Sequence, residues 1–314
     1  MHRLVRNPAD MTLSAPCMLV IGRNGQVATA LQEMGGMTGR PIVALGRKDI
    51  DILSEAAVTE ALKAFDPQVI VNTAAYTAVD QAEDDKDAAY ALNAEAAGQI
   101  ARACERLHKP LIHLSTDYVF GTDGAPFREG DPTGPINVYG ASKLEGERLV
   151  REACEQSLIL RTSWVSGAHG RNFIKSMIRL SRQREVLTVV DDQRGRLTFA
   201  EDLVKAIFAL SDRFVQGQAM PEDGLLHVSN EGEAVWADVA EFAMHQLKLA
   251  GEKYATIQRV SSLEFGVKAP RPADSRLNIE RFSSLFGEGL PQWEARLTSL
   301  WPAIMKAVSV EDNC

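Results

Sequence analysis

A tyrosine and a lysine four residues apart are the first candidates for chemistry in this sequence. Tyr139 and Lys143 form a Tyr-x-x-x-Lys pattern, and a separation of four places both side chains on one face of a helix. A free tyrosine has a pKa of about 10, so proton transfer near neutral pH needs a nearby positive charge, which Lys143 supplies. The pair predicts acid-base chemistry on a substrate oxygen, although the pattern alone is also common on helix surfaces.

A glycine turn follows the first apolar run of strand type. Gly22 and Gly25 stand in the sequence GRNGQVA, which runs into a helical pattern. Glycines at these places let the backbone turn tightly and approach a pyrophosphate, whose charge is favoured by the free N–H groups at the start of the helix. Ala28 is small enough for the helix to pack closely on the strand. The turn predicts a dinucleotide site, with a glycine turn that binds nothing as the alternative.

The end of the second predicted strand bears on which dinucleotide would bind. A site that prefers NAD carries an acidic residue there, about 20 residues after the turn. This chain has Gly46, Arg47 and Lys48, and Arg47 could pair bidentately with a 2′-phosphate. NADPH is therefore favoured, NADH stays open, and a solvated Arg-Lys pair is the alternative. Asp51 and Ile52 are expected to flank the adenine.

Two further strand ends carry small residues and hydroxyl groups. Ala74 and Ala75 follow the third predicted strand, where small side chains would let a ribose lie against the backbone, although close packing explains them nearly as well. Ser115, Thr116 and Asp117 end the fourth predicted strand. This places hydroxyl groups at the carboxyl edge of the sheet, beside the expected cofactor. Hydroxyl groups there can hold a substrate oxygen.

Alternating strands and helices must position these residues. Helical patterns separate five strand-type apolar runs at Met18–Ile21, Ile42–Leu45, Val69–Val71, Leu111–Leu114 and Leu158–Leu160. Strands that alternate with helices predict a parallel sheet, here of at least five strands, in an α/β fold of the Rossmann type with a doubly wound sheet. The predicted helices cover Glu55–Phe65, Ala88–Leu107, Gly140–Ala153, Phe173–Arg182, Ala200–Leu210, Val235–Leu249 and Trp293–Val308. Two later strands are predicted at Leu187–Val190 and Leu225–Val228.

The pattern loosens after Trp164, and prolines and glycines interrupt the last quarter of the chain. We expect residues 17–165 to form mainly the dinucleotide-binding domain. Residues 166–314 would form mainly a smaller C-terminal substrate-binding lobe, interleaved with the first domain, because a second lobe can cover ligands at the strand ends. Residues 1–16 precede the first strand and are expected to be a disordered leader, with Met11 as an alternative start.

Composition limits the classes of protein to which the chain can belong. Its 314 residues are 45% hydrophobic and 24% charged, as in folded globular proteins. A net charge of −8 supplies no basic excess for a phosphate backbone, so we expect no nucleic-acid partner. No apolar run approaches the roughly 18 residues of a membrane helix, and the N-terminus lacks the apolar centre of a signal peptide. We therefore expect a cytoplasmic protein without a membrane partner.

Longer strings are far more specific than the Tyr-x-x-x-Lys pattern. They are GRNGQV at 22–27, VNTAAYTAVD at 71–80, STDYVF at 115–120, NVYG at 137–140, RTSWV at 161–165 and LPQWE at 290–294. With these strings the chain resembles the extended branch of the short-chain dehydrogenase/reductase superfamily, and within it the dTDP-4-dehydrorhamnose reductases. The strings span nearly the whole chain.

The resemblance implies an oxidoreductase of dTDP-rhamnose biosynthesis that uses NADPH. Its reaction would reduce the C4 keto group of dTDP-6-deoxy-L-lyxo-4-hexulose and give dTDP-L-rhamnose for cell-surface polysaccharide. A related nucleotide-deoxysugar 4-ketoreductase stays open as an alternative. A second alternative is a non-catalytic regulatory subunit similar to the beta subunit of methionine adenosyltransferase, but the intact Thr116, Tyr139 and Lys143 argue against it.

The resemblance also implies roles for single residues. Tyr139 would protonate the C4 oxygen, Thr116 would hydrogen-bond the same oxygen, and Lys143 would bind the nicotinamide ribose and lower the tyrosine pKa. The expected cofactor-binding residues are Gly22, Asn24, Gly25, Gln26, Val27, Arg47, Asp51, Ile52, Ala74, Ala75, Tyr76, Asn93, Tyr139 and Lys143. The expected substrate-binding residues are Ser115, Thr116, Asp117, Trp164, Asn172 and Arg276. A core aromatic is the alternative for Trp164, and a surface ion pair is the alternative for Arg276, which would otherwise meet the diphosphate.

Some members of the resembled family form dimers around a magnesium ion held by glutamates. Glu201 and Glu294 match two of those positions, but Ala30 stands where another carboxylate belongs. Magnesium needs oxygen ligands, so we expect no metal here, while a homodimer stays open. The four cysteines form no Cys-x-x-Cys pair and show no zinc-like spacing to histidine.

Overall fold

The structure is a computed structural model that describes residues 18–121 and 124–312. The predicted leader over 1–16 and the alternative start at Met11 lie outside the described residues. The strands are β1 (Met18–Ile21), β2 (Ile42–Leu45), β3 (Val69–Asn72), β4 (Leu111–Thr116), β5 (Ser157–Thr162), β6 (Val165–Ser166), β7 (Val186–Val190), β8 (Arg194–Gly195), β9 (Thr198–Phe199), β10 (Leu225–His227), β11 (Ala234–Val235) and β12 (Thr256–Val260).

Helices connect most of these strands. They are α1 (Gln26–Thr38), α2 (Glu55–Phe65), α3 (Val79–Ala82), α4 (Lys86–Tyr90), α5 (Ala96–Arg106), α6 (Val138–Ala153), α7 (Phe173–Gln183), α8 (Ala200–Val215), α9 (Trp236–Leu249), α10 (Ser262–Phe265), α11 (Glu280–Phe286) and α12 (Trp293–Asp312). A π-helical turn (Ala91–Glu95) joins α4 to α5, and a 3₁₀ turn (Asp117–Val119) follows β4. Among the described residues, no helix is long and apolar enough to span a bilayer.

Six strands form one sheet in the order β10-β5-β4-β3-β1-β2. Every neighbouring pair in it runs parallel, which confirms the predicted doubly wound parallel sheet. The strand order reverses between β1 and β3, and in such sheets ligands bind at this reversal, outside the carboxyl ends of the strands. The glycine turn after β1 and the small residues after β3 both lie at that reversal.

Helices cover both faces of the sheet, as parallel strands require. On one face, α1 and α8 bury Leu31 and Leu203 against the strand residue Val20. On the opposite face, α2 and α5 bury Leu62 and Ile100 together with other residues of the same strands. Because both sides of each inner strand are covered, these strands appear in the sequence as continuous apolar runs rather than as alternating patterns.

Helix ends agree with the predictions where the signal that sets them is local. Helix α2 has the predicted bounds, and its first turn is capped by the Ser54 hydroxyl, which accepts a hydrogen bond from the backbone N–H of Ala57 at 3.3 Å. The helix predicted over 88–107 is instead a composite of α4, the π-helical turn and α5. Apolar spacing does not reveal a π-helical turn, because one added residue shifts the register without removing the pattern.

The last helix runs past its predicted end at Val308 to Asp312. Acidic side chains are unfavourable near a helix C-terminus, but here they have cationic partners. Glu311 pairs with the buried Lys175 of α7, and both Glu311 and Asp312 pair with Arg179. These ion pairs fasten the end of α12 to α7.

Parts of the second half of the chain belong to the central sheet. Strand β10 pairs with β5, and α8 packs on α1. Three other helices, α7, α9 and α12, share a separate apolar cluster that includes Ile178, Val239, Leu297 and Ile304. The domain limits predicted at 165 and 166 stay a prediction.

A buried ion pair fastens α6 to the sheet. Arg161 on β5 and Glu147 on α6 lie 2.7 Å apart, and each side chain is only 3% exposed. The Ser115 hydroxyl on β4 donates to the same carboxylate. Arg161 also donates to the backbone oxygen of Glu129 at 3.1 Å and lies over the ring of Phe120. The pair therefore joins β4, β5 and α6 at one point.

We expect Arg161→Met to lower the free energy of unfolding by about 3–5 kcal/mol, because it leaves the carboxylate of Glu147 buried without a partner. The matched control is Arg148→Met on α6, the helix that carries Glu147. The Arg148 side chain is 51% exposed and pairs with Glu145 and Glu152. That change should cost at most about 1 kcal/mol. Urea denaturation of both variants measures the difference. Equal losses for the two variants would contradict this view of the buried pair.

Candidate active site

Two adjoining openings form one cleft at the carboxyl edge of the sheet. The first has about 1350 Å³ of empty space and lies over the ends of β1, β2 and β3. The second has about 1550 Å³ and lies between the end of β4, the start of α6 and a wall that includes Trp164, Asn172 and Trp236. Both are lined by Asn24, Gly25, Thr73 and Ala75. One extended ligand could therefore run through both openings.

The glycine turn after β1 has the shape that a dinucleotide requires. Gly22 has φ +107°, and a Cβ there would lie 2.4 Å from the side-chain oxygen of Thr73. Gly25 stands directly before α1, no side chain caps the helix, and a Cβ on Gly25 would meet no protein atom within 4 Å. Open space in front of uncapped helix N–H groups favours an anion. These residues fit the pyrophosphate of a dinucleotide.

The loop after β2 lines the first opening with Arg47, Lys48 and Ile52. It also contains Asp49, whose carboxylate pairs with Arg23 at 2.8 Å and accepts the backbone N–H of Gly46 at 2.8 Å. That carboxylate is therefore already engaged within the protein.

Asp51, another residue of this loop, was expected to flank the adenine. Asp51 is absent from the lining of both openings. Its carboxylate accepts the backbone N–H of Leu53 at 3.0 Å and so closes a local turn.

Asn93 and Tyr76, both predicted to bind the cofactor, shape the loop after β3 instead of lining the cleft. Asn93 lies in the π-helical turn and is 1% exposed. Its side-chain oxygen accepts the backbone N–H of Tyr76 at 2.7 Å, and its amide donates to the backbone oxygen of Tyr76 at 3.1 Å. The same amide donates to the Ser142 hydroxyl at 2.9 Å. Ala74 and Ala75, which lead into this loop, do line the first opening.

The structure brings Thr116, Tyr139 and Lys143 together in the second opening. Helix α6 carries the last two, and Asn137 caps it by accepting the backbone N–H of Gly140 at 2.7 Å. A Cβ on Gly140 would lie 2.0 Å from a backbone oxygen of the turn that follows β4. The first turn of α6 therefore packs directly against the strand end that carries Thr116.

Burial sets the protonation states of the Tyr139–Lys143 pair. The pKa of Tyr139 is raised to about 12, mainly by desolvation and also by the charge of Asp117. The hydrogen bond with Thr116 acts in the opposite direction and lowers this pKa. Desolvation also lowers the pKa of Lys143 to about 8, while the charge of Glu147 raises it. At neutral pH Tyr139 therefore holds its proton, which is the form required of a general acid.

Asp117 is a buried carboxylate beside the same group. It accepts the Thr116 hydroxyl at 3.0 Å and the Ser275 hydroxyl at 2.6 Å. Burial raises its pKa to about 6, although both hydrogen bonds lower it. The Thr116 hydroxyl proton thus points at Asp117, and Thr116 accepts the backbone N–H of Tyr118 at 3.2 Å.

Ser115 also lines the second opening, but its hydroxyl donates to Glu147. The hydroxyl proton is therefore used inside the protein. Ser115 and Asp117, both predicted to bind the substrate, each hold the strand end in place through a buried hydrogen bond.

Aromatic rings form the wall of the second opening on the side of the C-terminal lobe. Trp164 stacks on Trp236 with ring centroids 3.7 Å apart and an angle of 12° between planes. A Cβ on Gly195 would lie 2.5 Å from the Trp164 ring, so the ring lies flat on the backbone there. Trp236 is a residue that the sequence analysis missed. It starts α9 far along the chain, and only the tertiary fold brings it to the cleft.

The predicted residue Asn172 caps α7 and joins the two halves of the cleft. Its amide donates to the Gln26 side-chain oxygen at 3.1 Å, and the Gln26 amide donates to the backbone oxygen of Val165 at 3.1 Å. Gln26, Val27 and Asn172 all line the second opening. The neighbouring Arg171, also missed from the sequence, lines it too.

Arg276 does not lie on the wall of either opening. Its guanidinium pairs with Asp274 at 2.7 Å and with Glu233. These contacts correspond to the alternative given for Arg276 in the sequence analysis, in which its guanidinium forms a surface ion pair. A role at a diphosphate would require these pairs to separate.

No group of three or more His, Cys, Asp or Glu residues able to hold a metal comes together in the described part of the chain. Glu201, one of the two glutamates that match magnesium positions, accepts the backbone N–H of Ala168 at 3.2 Å. The expected absence of magnesium stays a prediction.

Comparison with known proteins agrees with the geometry. Residues 17–305 match the family described as the RmlD substrate binding domain. A dTDP-4-dehydrorhamnose reductase of Sinorhizobium fredii is 39% identical over 294 residues, covering 92% of this chain and 98% of the relative. The Salmonella typhimurium dTDP-4-dehydrorhamnose reductase is 39% identical over 285 residues, covering 88% and 94%.

Solved structures are similar as well. The crystal structure of a dTDP-4-dehydrorhamnose reductase from Bacillus anthracis, in complex with NADP, has a TM-score of 0.83 and 35% identity, covering 91% of this chain and 98% of that one. A reductase of the same name from Clostridium acetobutylicum has a TM-score of 0.84 and 30% identity, covering 92% and 99%.

We expect Gly25→Val to abolish most dinucleotide binding without unfolding the protein, because the new side chain enters the space in front of α1, where a Cβ meets no protein atom within 4 Å. Isothermal titration with NADPH should show at least about a 100-fold weaker Kd, as expected when a phosphate contact is blocked. The matched control is Gly36→Val on the same helix, where a Cβ also meets nothing. Unchanged NADPH affinity in Gly25→Val would show that the turn is not the binding site.

Proposed function

The chain belongs to the RmlD substrate binding domain family, and from this we infer that it is a dTDP-4-dehydrorhamnose reductase that uses NADPH. It reduces the C4 keto group of dTDP-6-deoxy-L-lyxo-4-hexulose to give dTDP-L-rhamnose. The observation that carries this inference is the grouping of Thr116, Tyr139 and Lys143 in an opening next to the glycine turn. Relatives named for this activity match nearly their whole length.

The residues around the first opening fit the cofactor. The uncapped start of α1 offers N–H groups to a pyrophosphate, and Gly25 leaves the space for it. Arg47 lines the same opening and has the planar fork that suits a 2′-phosphate. The relative from Bacillus anthracis was solved with NADP. We assign the pyrophosphate to the glycine turn and the 2′-phosphate to Arg47.

When bound, NADPH supplies the hydride that reduces the C4 carbon. The residues of the chain handle the proton. Burial keeps Tyr139 protonated at neutral pH, so its hydroxyl is ready to donate to the C4 oxygen. A protonated Lys143, one helical turn away, then favours the phenolate that remains. Thr116 can reach the same oxygen when its hydroxyl turns away from Asp117.

The second opening provides the contacts for the sugar nucleotide. The stacked Trp164 and Trp236 line this opening and offer apolar surface against which a sugar can pack. Asn172 holds this side of the cleft to α1. Arg171 is a cation on the wall of the opening for which the described residues provide no ion pair, and it suits the diphosphate better than Arg276, whose guanidinium is already paired.

The alternatives differ in what they require of the site. A 4-ketoreductase for another nucleotide sugar would keep the same three catalytic side chains and change only the pocket. A non-catalytic subunit has no need for them, so their grouping argues against that role. The cytoplasmic location, the exclusion of a nucleic-acid partner and the homodimer stay predictions.

The deciding experiment measures NADPH oxidation at 340 nm with dTDP-6-deoxy-L-lyxo-4-hexulose, generated in the same tube from dTDP-glucose by upstream enzymes. The product is identified by NMR. We expect dTDP-L-rhamnose. Tight NADPH binding without oxidation would overturn the proposed reaction and leave the fold assignment intact, whereas a product with the other C4 configuration would favour the related ketoreductase.

We expect Tyr139→Phe to lower kcat by about 100-fold or more, the usual effect of losing a general acid, while the Kd for NADPH stays within about threefold. Steady-state kinetics and fluorescence titration measure the two quantities. Tyr254→Phe, which removes the hydroxyl of an exposed tyrosine outside the cleft, serves as the control. Turnover that survives in Tyr139→Phe would show that another group donates the proton.

We expect Arg47→Ala to raise KM for NADPH by about 10-fold or more and KM for NADH by much less, because only NADPH carries the 2′-phosphate. The comparison of kcat/KM for the two cofactors reports this directly. Lys63→Ala, which removes an exposed cation of α2, should change neither value. A parallel loss with both cofactors would mean that Arg47 acts on the loop rather than on the phosphate.

A further inference from the structure

We propose that the buried pair Asn72 and His113 are positioning residues that control whether Lys143 is an amine or an ammonium ion. The three side chains form a row behind the cleft, from β3 through β4 to α6. Asn72 and His113 are directly opposite in the register of the two strands. Each of the three residues is at most 2% exposed, so water does not compete for their hydrogen bonds.

Contacts at hydrogen-bond distance connect the three side chains of this row. The Asn72 amide nitrogen lies 3.0 Å from Nδ1 of His113. On the other side of the ring, Nε2 lies 3.3 Å from Nζ of Lys143. Nζ also donates to the backbone oxygen of Leu114 at 2.6 Å.

The orientation of the Asn72 amide is fixed from outside the row. Its side-chain oxygen accepts the backbone N–H of Ala74 at 3.1 Å. If the amide were reversed, its NH₂ group would face that N–H and this hydrogen bond would be lost. The NH₂ group therefore faces His113 and donates to Nδ1.

This orientation determines the tautomer of His113. A neutral imidazole carries one proton, and Nδ1 needs its lone pair to accept from Asn72. The proton must then be on Nε2. A second proton on Nδ1 would oppose the Asn72 donor, and burial holds the pKa of His113 well below its usual range.

The Nε2–H group points at Lys143. An ammonium ion has no lone pair to accept it, whereas an amine has one and can still donate to the backbone oxygen of Leu114. The row is thus fully hydrogen-bonded with Lys143 as the amine and has two opposed donors with Lys143 as the ammonium ion. The geometry favours loss of the Lys143 proton.

The negative charge of Glu147 opposes the loss of the Lys143 proton. Among the described residues, the titratable groups that act on Lys143 are His113 from β4 and Glu147 from the next turn of α6. Glu147 favours the ammonium ion, but Arg161 and Ser115 already occupy its carboxylate. Burial lowers the pKa of Lys143 from its ordinary value of about 10.4 to about 8, so its charge is lost as pH rises through about 8.

The kinetic consequence rests on the proposed function. If protonated Lys143 supports Tyr139 and the cofactor ribose, NADPH affinity and kcat/KM decline as pH rises past the Lys143 pKa. The Asn72–His113 pair then sets the pH at which this decline begins.

Two substitutions at residue 72 test the proposal. In Asn72→Asp the carboxylate accepts from both Ala74 and Nδ1–H of His113, which moves the ring proton and turns Nε2 into an acceptor for the ammonium ion. Asn72→Leu has a similar shape and no charge, and it also frees Nδ1 to take the proton. Both should raise the Lys143 pKa by about one unit or more, with Asp exceeding Leu because of its charge.

The two NMR readouts use the protein without cofactor or substrate, so they do not depend on the proposed reaction. Nitrogen-15 NMR of labelled histidine identifies the His113 tautomer, with His113→Gln as the assignment control. Carbon-13 NMR of labelled lysine follows the titration of Lys143, with Lys143→Arg as the assignment control. NADPH affinity against pH is a third readout.

The expected results are the Nε2–H tautomer in the natural protein and a Lys143 titration shifted upward in both variants. A natural protein with the proton on Nδ1 would overturn the proposal without any variant having to fold. An unchanged Lys143 titration in Asn72→Leu would overturn it as well, because the shift in Asn72→Asp would then come from the added charge alone. A natural protein that gives these NMR results but shows no reductase activity would count against the proposed function and leave this proposal standing.

Discussion

The buried pair of Arg161 and Glu147 is the interaction on which the geometry of the cleft depends. It fixes α6 at the level of β4 and β5, so the helix turns before Glu147 place Lys143 and then Tyr139 at the strand edge. The hydroxyl of Ser115, the neighbour of Thr116, joins the same carboxylate. Strand β4 and helix α6, which are separated in the chain, thus hold Thr116, Tyr139 and Lys143 at the same edge of the sheet. Two buried charges are costly to desolvate, and complete hydrogen bonding offsets that cost.

Removal from water also explains the electrostatics of the site. Desolvation keeps Tyr139 protonated and favours the neutral forms of Lys143 and Asp117. At neutral pH, however, a pKa of about 8 leaves Lys143 mostly protonated and a pKa of about 6 leaves Asp117 mostly ionised, so two opposite charges lie near the neutral Tyr139. In such an environment a charge brought by a ligand acts strongly on its neighbours, because few water molecules screen it. The hydroxyl protons of Ser115 and Thr116 are meanwhile committed to protein carboxylates, which keeps the strand end rigid.

Several roles assigned from sequence depend on partners that sequence does not display. Asn93 and Asp51 were expected at the cofactor, yet Asn93 holds the backbone of Tyr76 and Asp51 closes a turn. Arg276 has two acidic partners, of which Glu233 is distant in the chain. A motif match predicts where a residue lies, but it says little about which neighbour forms hydrogen bonds with that residue. Trp236 carried no motif at all, and its contact with Trp164 exists only because the fold brings the start of α9 to the segment between β5 and β6.

The sequence by itself determined the first five strands of the central sheet and the main helices between them, the glycine turn, the Tyr139–Lys143 spacing and the family, because these follow from local periodicity and from strings of adjacent residues. It also determined the bounds of α2, whose cap lies within one turn. Only the tertiary structure decided the position of β10 beside β5, the π-helical turn, the stacked tryptophans and the Asn72–His113–Lys143 row. Except for the π-helical turn, which spans five consecutive residues, those features join residues far apart in the chain. Their energies come from burial and from hydrogen bonds that exist only after the sheet has assembled.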